Sequence, residues 1–533
     1  MSGGVPPGEN PTTGMLSAGW NRSDRADSMI PMRTRTRRTL VLALSVAATA
    51  TALTGVTGPA SATTAPSSPV LTWRSCERPD GPAGQECAHL PVPVDHRDPD
   101  GPHLTLAVSR LRAENPEARR GTLLVIPGGP GGSGVRRLTQ KGEALRRELG
   151  DTYDIVGLDP RGTGGSTRAN CGLSADDRHL VTMRSWPAAD GGIAENVARS
   201  RRIAEACATN GGAVLRSLST ANEVRDIESL RQALGEERLS AYGMSYGTYV
   251  GAVYAQKYPE RIDRLVLDSN DDPDPRRVAR GWLANMARGA EDRFPDFAAF
   301  ASDPAQEPTG LRLAERPEDV RPLFLSLAAD LDRTPRETTT EGVPLTGNRL
   351  RQVMQNALYS DDSFDDLARL LRQVRDPKAT PVLPPDVAGP LSDEEAAVIM
   401  AVICNDVRWP RSVAGHARAV SDSRTRYPLT AGMPVNITPC SFWKDRPTEP
   451  PTRITDRGPS SILMVQNRRD PATPYSGALK LRAALGERAR LVTVESGGHG
   501  SYLGTGNACG DRAVTAFLRT GQRPQRDVSC PDD

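Results

Sequence analysis

Leu239-Ser240-Ala241-Tyr242-Gly243-Met244-Ser245-Tyr246-Gly247-Thr248 is the stretch whose reading decides the fold. A short, largely apolar run enters it, and a helix-like run from Tyr246 to Tyr258 leaves it. Between them Ser245 sits in Gly-x-Ser-x-Gly spacing. A serine at the apex of a sharp strand-to-helix turn is held in strained backbone geometry, and neighbours without side chains leave room for that turn. Its hydroxyl projects from the sheet edge, and the first amides of the helix point at whatever it attacks. With 49 glycines in 533 residues the spacing alone is only a hypothesis. The rest of the chain has to supply a base, an acid and an anion hole.

Upstream, Cys87 to Val94 and Leu104 to Val108 read as the first two strands, with prolines marking an edge. Thr122-Leu123-Leu124-Val125-Ile126 reads as a buried strand that ends in the loop Pro127-Gly128-Gly129-Pro130-Gly131-Gly132-Ser133-Gly134, and a helical stretch follows to Leu149. Tyr153 to Leu158 is a further strand leading into Asp159-Pro160-Arg161-Gly162-Thr163-Gly164-Gly165-Ser166. Val224, Ile227, Leu230 and Leu234 share one helical face, with Thr220 as the expected cap. Leu265-Val266-Leu267 is the strand after the serine turn. Strands alternating with helices in this way predict an α/β fold whose mostly parallel sheet is covered on both faces.

From about Pro273 to Pro459 the chain becomes mostly helical, proline-punctuated and charged, which predicts an insertion over the carboxyl edge of the sheet. Ser461-Ile462-Leu463-Met464-Val465 resumes the sheet, Arg490 to Val494 gives a last strand, and Asp511 to Leu518 a closing helix.

Acyl transfer by serine needs a base to take its proton, an acid to orient that base, and donors for the oxyanion. Asp470 lies in the loop just past the resumed strand, and His499 lies in the glycine-flanked loop after the next one. The chain order Ser245, Asp470, His499 is the order this sheet topology requires. The oxyanion hole should combine the amide of Tyr246 with one from the Gly128-Gly129 loop. The same loop also matches a dinucleotide fingerprint, Gly129-x-Gly131-x-x-Gly134. Pro130 inside that motif and an export signal weigh against a nucleotide, so no cofactor is expected. His89, His96, His103, His179 and His416 show no metal spacing, and no metal is expected.

Composition narrows the function further. A net charge of +2 leaves no basic excess for nucleic acid. Arg33, Arg35, Arg37 and Arg38, the apolar run Leu40 to Leu53 and the small-residue site Ala60-Ser61-Ala62 read in order as an export signal. No other apolar stretch is long enough for a membrane helix. The mature protein is therefore expected outside the cytoplasm, as a monomer. The 8 cysteines are Cys76, Cys87, Cys171, Cys207, Cys404, Cys440, Cys509 and Cys530, and an even number in an exported chain reads as disulfides. Pairing them in chain order is the simplest connectivity.

The glycine loop 127–134, Asp159-Pro160-Arg161-Gly162-x-Gly164-x-Ser166, Tyr242-Gly243-x-Ser245-Tyr246-Gly247, Asp470 and Gly498-His499 together resemble the secreted tripeptidyl aminopeptidases of actinomycetes. Those are α/β-hydrolase serine exopeptidases related to prolyl aminopeptidases. The resemblance covers about residues 73 to 530. It implies Ser245 as nucleophile, Asp470 as orienting acid and His499 as base and proton donor. In one respect the chain departs: prolyl aminopeptidases carry a histidine before Gly-Gly-Pro-Gly, and here that residue is Pro127.

An aminopeptidase must also hold a free α-ammonium, and Asp406, Glu394 and Glu395, on a helix-like lid stretch, are the candidates. The resulting expectation is a leader and export signal at 1–62, an α/β-hydrolase core at 63–272 and 460–533, and a helical lid at 273–459. The expected activity is release of short peptides, tripeptides in particular, from free N-termini. A carboxylesterase or lipase on the same triad, and a non-catalytic binding protein with the hydrolase fold, are the alternatives.

Overall fold

The computed structural model describes residues 71–76 and 81–532. The export signal expected before residue 63 lies outside them. The described chain builds one ten-stranded sheet. Its strands are β1 (Arg74–Ser75), β2 (Glu86–Pro93), β3 (His103–Leu111), β4 (Thr122–Ile126), β5 (Asp154–Leu158), β6 (Leu239–Met244), β7 (Ile262–Asp268), β8 (Ile462–Arg469), β9 (Ala489–Gly497) and β10 (Val528–Cys530). The spatial order is β1-β2-β3-β5-β4-β6-β7-β8-β9-β10. Neighbours from β5 to β10 run parallel, while β1, β2 and β3 form an antiparallel end.

This arrangement explains the strand compositions. All five residues of β4 are buried, as a central parallel strand with both faces covered must be. Leu124 and Ile126 face one core and Leu123 and Val125 the other. β1 pairs only with Cys87 and Glu86, so Pro91 and Pro93 lie on the part of β2 that has no partner on that side. A missing N–H is tolerated there. The two shortest strands, β1 and β10, were not visible in the sequence pattern. Each is too short to show a period; β1 precedes a disulfide cysteine and β10 ends in one.

No strand of the sheet comes from residues 269–461. Much of that stretch forms a helical body with its own core, in which Phe294, Phe297, Phe324 and Phe364 pack on one another. Helix Asp393–Asp406 instead joins the core of the sheet through Ala396, Ala397 and Met400. Helix Thr220–Ala233 begins one residue earlier than the sequence suggested. Ser219 is its cap, accepting from the Asn222 amide, and Thr220 is its first helical residue. Adjacent hydroxyls compete for such a position, and here the hydroxyl of Thr220 bonds elsewhere.

Four disulfides join Cys76–Cys87, Cys171–Cys207, Cys404–Cys440 and Cys509–Cys530. The pairing is the chain-order one. Cys404–Cys440 closes a loop with a sequence separation of 36 and ties helix Asp393–Asp406 to the segment after helix Val413–Arg426. A cross-link over that length restricts the unfolded chain by about 3–4 kcal/mol. Replacing both cysteines by alanine is therefore expected to destabilise the protein by about that amount in urea unfolding. A midpoint unchanged from the parent would show that the bridge contributes nothing.

Candidate active site

Ser245 stands between β6 and helix Tyr246–Lys257, with φ 58° and ψ −128°. The flanking glycines have a direct steric reason. A Cβ on Gly243 would lie 2.4 Å from the Gly247 carbonyl oxygen, and one on Gly247 2.5 Å from that of Ile126. Any side chain there would push the turn off the sheet. The Ser245 amide donates to the carbonyl of Asp268 at the end of β7, at 2.9 Å. The Thr248 hydroxyl and amide both bond back to the Ser245 carbonyl, at 2.6 and 2.8 Å.

Asp470 and His499 meet past the ends of β8 and β9. His499 Nδ1 lies 3.0 and 2.9 Å from the two carboxylate oxygens of Asp470. Asp470 also accepts from the amides of Ala472 and Thr473 and from the Thr473 hydroxyl, each at 2.9 Å. Burial opposes ionisation of Asp470, but the His499 charge and these donors outweigh it and hold its pKa below the usual carboxylate value. Burial likewise opposes the imidazolium of His499, and the Asp470 carboxylate overrides it, so the His499 pKa is raised. Behind the imidazole, the His499 amide donates to the Tyr359 carbonyl at 2.8 Å, and the Tyr359 ring meets it edge-on at 5.0 Å.

Asp268 fastens these two parts together, and sequence reasoning missed it. Its main chain holds the serine turn. Its buried carboxylate accepts from the amides of Ser501 and Tyr502 in the histidine loop, at 2.8 and 2.9 Å, and from the Tyr242 hydroxyl at 2.8 Å. Gly500 accordingly backs onto β6, where a Cβ would lie 3.0 Å from Met244 Cε. The available signal was the run Asp268-Ser269-Asn270-Asp271-Asp272. A cluster of acids directly after an apolar strand places carboxyls at the same sheet edge as the serine.

The glycine loop presses against the serine from the other side. A Cβ on Gly128 would lie 2.9 Å from Ser245 Cβ, and Gly129 lines the same cavity as Ser245. Tyr246 opens its helix, so its N–H has no intrahelical acceptor. The Tyr246 hydroxyl is anchored to Glu223 and Thr220, each at 2.9 Å, which fixes the residue that carries this amide. Asp159 braces the loop, accepting from the Ser133 hydroxyl and the Val135 amide at the start of the following helix.

Ser245 opens into a cavity of about 230 Å³ walled mainly by apolar side chains, among them Trp282, Met286, Ile399 and Ile403. None of the three acids expected to hold the amine, Asp406, Glu394 and Glu395, lines this cavity. Asp406, in the last turn of its helix, accepts from the amide and hydroxyl of Thr220 and borders a separate small cleft with Tyr249 and Glu449. A carboxylate at the N-terminus of helix Thr220–Ala233 complements the helix dipole. Glu395 accepts from the Ser392 amide in a capping box, and Glu394 lies 3.7 Å from Arg168. All three acids serve local structure. The helix turns Ile399, Met400 and Ile403 to the cavity instead.

Residues 427–530 match a family described as TAP-like protein. The chain is 31% identical over 480 residues to the tripeptidyl aminopeptidase of Streptomyces lividans, covering 86% of each chain. It is 28% identical over 484 residues to serine protease Hip1 of Mycobacterium tuberculosis, covering 86% of this chain and 91% of that one. It is also 30% identical over 509 residues to a carboxylesterase B of Mycobacterium tuberculosis, covering 90% of this chain and 94% of that one. With a mostly parallel sheet flanked by helices and relatives this similar over most of its length, the chain belongs to the tripeptidyl aminopeptidase-like family of α/β-hydrolase-fold serine peptidases.

Proposed function

We propose that the protein is an exported serine aminopeptidase that releases short peptides, tripeptides in particular, from free N-termini. One observation carries this reading: a strained serine turn and a buried imidazole–carboxylate pair are tied to one sheet edge through Asp268, beside a cavity walled mainly by apolar side chains.

Ser245 Oγ attacks the scissile carbonyl while His499 takes its proton. The amides of Tyr246 and the Gly128-Gly129 loop receive the oxyanion, each such donor being worth about 3 kcal/mol in the transition state. His499 then protonates the leaving amine, and water repeats the sequence on the acyl-enzyme. Asp470 holds the imidazole with Nδ1 protonated and stabilises its cation. Residues 273–459 act as a lid that selects the substrate. Four formed disulfides fit an oxidising compartment. Among the described residues no helix is long and apolar enough to cross a membrane.

The apolar cavity and the carboxylesterase relative favour a second reading, an esterase on the same triad. A substrate panel separates the two. Tripeptidyl, aminoacyl and N-blocked chromogenic amides are compared with short acyl esters, and free-amine tripeptidyl amides are expected to be cleaved fastest. Equally rapid cleavage of blocked peptides would overturn the aminopeptidase reading. Activity on esters alone would leave the esterase.

A further inference from the structure

The Ser245 cavity contains a carboxylate to which the chemistry above gives no role. Asp271 follows β7 by three residues, is 4% exposed and lines the cavity together with Ser245. Its amide donates to the Thr248 hydroxyl at 3.1 Å, which seats it on the helix that carries the serine turn. Its Oδ2 is buried and has no hydrogen-bond partner among the described residues. Its neighbour Asp272, equally buried, is satisfied by Lys480 and Asn285 at 2.5 and 3.2 Å. Of two adjacent buried acids, Asp272 thus has its cation, and Asp271 lines the cavity with no ion-pair partner among the described residues.

The geometry points to Asp271 as the receptor for the α-ammonium of the substrate. An isolated carboxylate in an apolar wall is costly to ionise unless a cation arrives with the ligand. Burial, opposed by the His499 charge and reinforced by Asp470 and Asp272, pushes its pKa up to about 8. A substrate ammonium removes that penalty, because it supplies both the missing donor and the opposite charge. An N-acylated peptide offers at most one neutral N–H and no charge, and would bury its acyl group against the acid.

The same cavity also constrains length. With the amine at Asp271 and the scissile carbonyl at Ser245, the peptide between them must fit within one small cavity, at about 3.3–3.6 Å per extended residue. That geometry selects exopeptidase cleavage. The other charged residue on the wall is Arg184, whose buried Nη1 has no hydrogen-bond partner among the described residues.

This assignment rests on the aminopeptidase reading above, and the test separates the two. The wild type, Asp271→Asn, Asp271→Ala and Asp271→Glu are assayed with a free-amine tripeptide p-nitroanilide, its N-acetyl counterpart and p-nitrophenyl butyrate. Fluorophosphonate labelling of Ser245 and thermal unfolding identify the variants that fold with a competent site. For Asp271→Asn, kcat/KM on the free-amine peptide is expected to fall about 100-fold, chiefly through KM, with a loss on the ester at least about tenfold smaller. Preference for the free over the acetylated peptide should collapse toward unity, and Asp271→Glu should restore part of it. If the wild type prefers the free amine and the Asn and Ala variants keep that preference, the assignment is overturned while the aminopeptidase reading stands. Equal losses on peptide and ester also overturn it, since Asp271 would then act through His499. If the wild type cleaves blocked and free peptides alike, both fall.

Discussion

Replacing Ser245 by alanine is expected to lower kcat for a peptide amide by about six orders of magnitude, with little change in substrate affinity. The size follows from what remains. Without Oγ there is no acyl-enzyme, and the oxyanion donors and the cavity wall can assist only direct attack by water. The fold should survive the change. The contacts that hold the turn are made by the Ser245 main chain, to Asp268 on one side and Thr248 on the other. Alanine must adopt the same positive φ that serine does, so the backbone strain is unchanged. Fluorophosphonate labelling should vanish, while calorimetric binding of a free-amine tripeptide persists. Activity within tenfold of the parent would remove Ser245 from the reaction.

The parts of the site that were legible in the sequence are those fixed by backbone sterics and chain order. Gly243 and Gly247 could be read because only a missing side chain fits against the carbonyls they meet. Asp470 and His499 could be read because each follows a strand in a loop at the same edge. The in-order cysteine pairs were legible because short loops close most easily.

What escaped was side-chain direction. Asp406 sits on an apolar helix beside the cavity, and the pattern told of its burial but not that the last turn of this helix meets Thr220. Asp268 and Asp271 lie three residues apart on one strand end. Asp268 ends β7 and bonds to the histidine loop, while Asp271, in the loop beyond the strand, lines the cavity. The helical stretch between β7 and β8 was visible as a change in composition. Which of its residues face the cavity depends on packing against the sheet, and no spacing in the chain records that.

Asp470→Asn is expected to cost about four orders of magnitude in kcat and to move the acid limb of the pH profile toward lower pH. His499 must be neutral to accept the proton of Ser245, so activity rises with pH as the imidazolium loses its proton. Burial lowers the pKa of His499, and the Asp470 carboxylate, by charge and by hydrogen bond, more than reverses this. In the parent enzyme the limb therefore lies above the usual histidine value of about 6.5. An asparagine removes the charge and leaves the burial, so the pKa falls. The fall is partial, because Asp268 still acts on the imidazole in the same direction as the lost carboxylate. The rate is lost for a separate reason. The amides of Ala472 and Thr473 bond to one carboxylate oxygen of Asp470, and the Thr473 hydroxyl to the other. An asparagine held by those amides through its carbonyl turns its own N–H groups toward His499, which then accepts at Nδ1 and presents a proton, not a lone pair, to Ser245. The kcat/KM profile between pH 5 and pH 9 checks both parts. A large rate loss with the limb unmoved would mean that Asp470 orients the ring without stabilising its charge. A small loss would remove it from the triad.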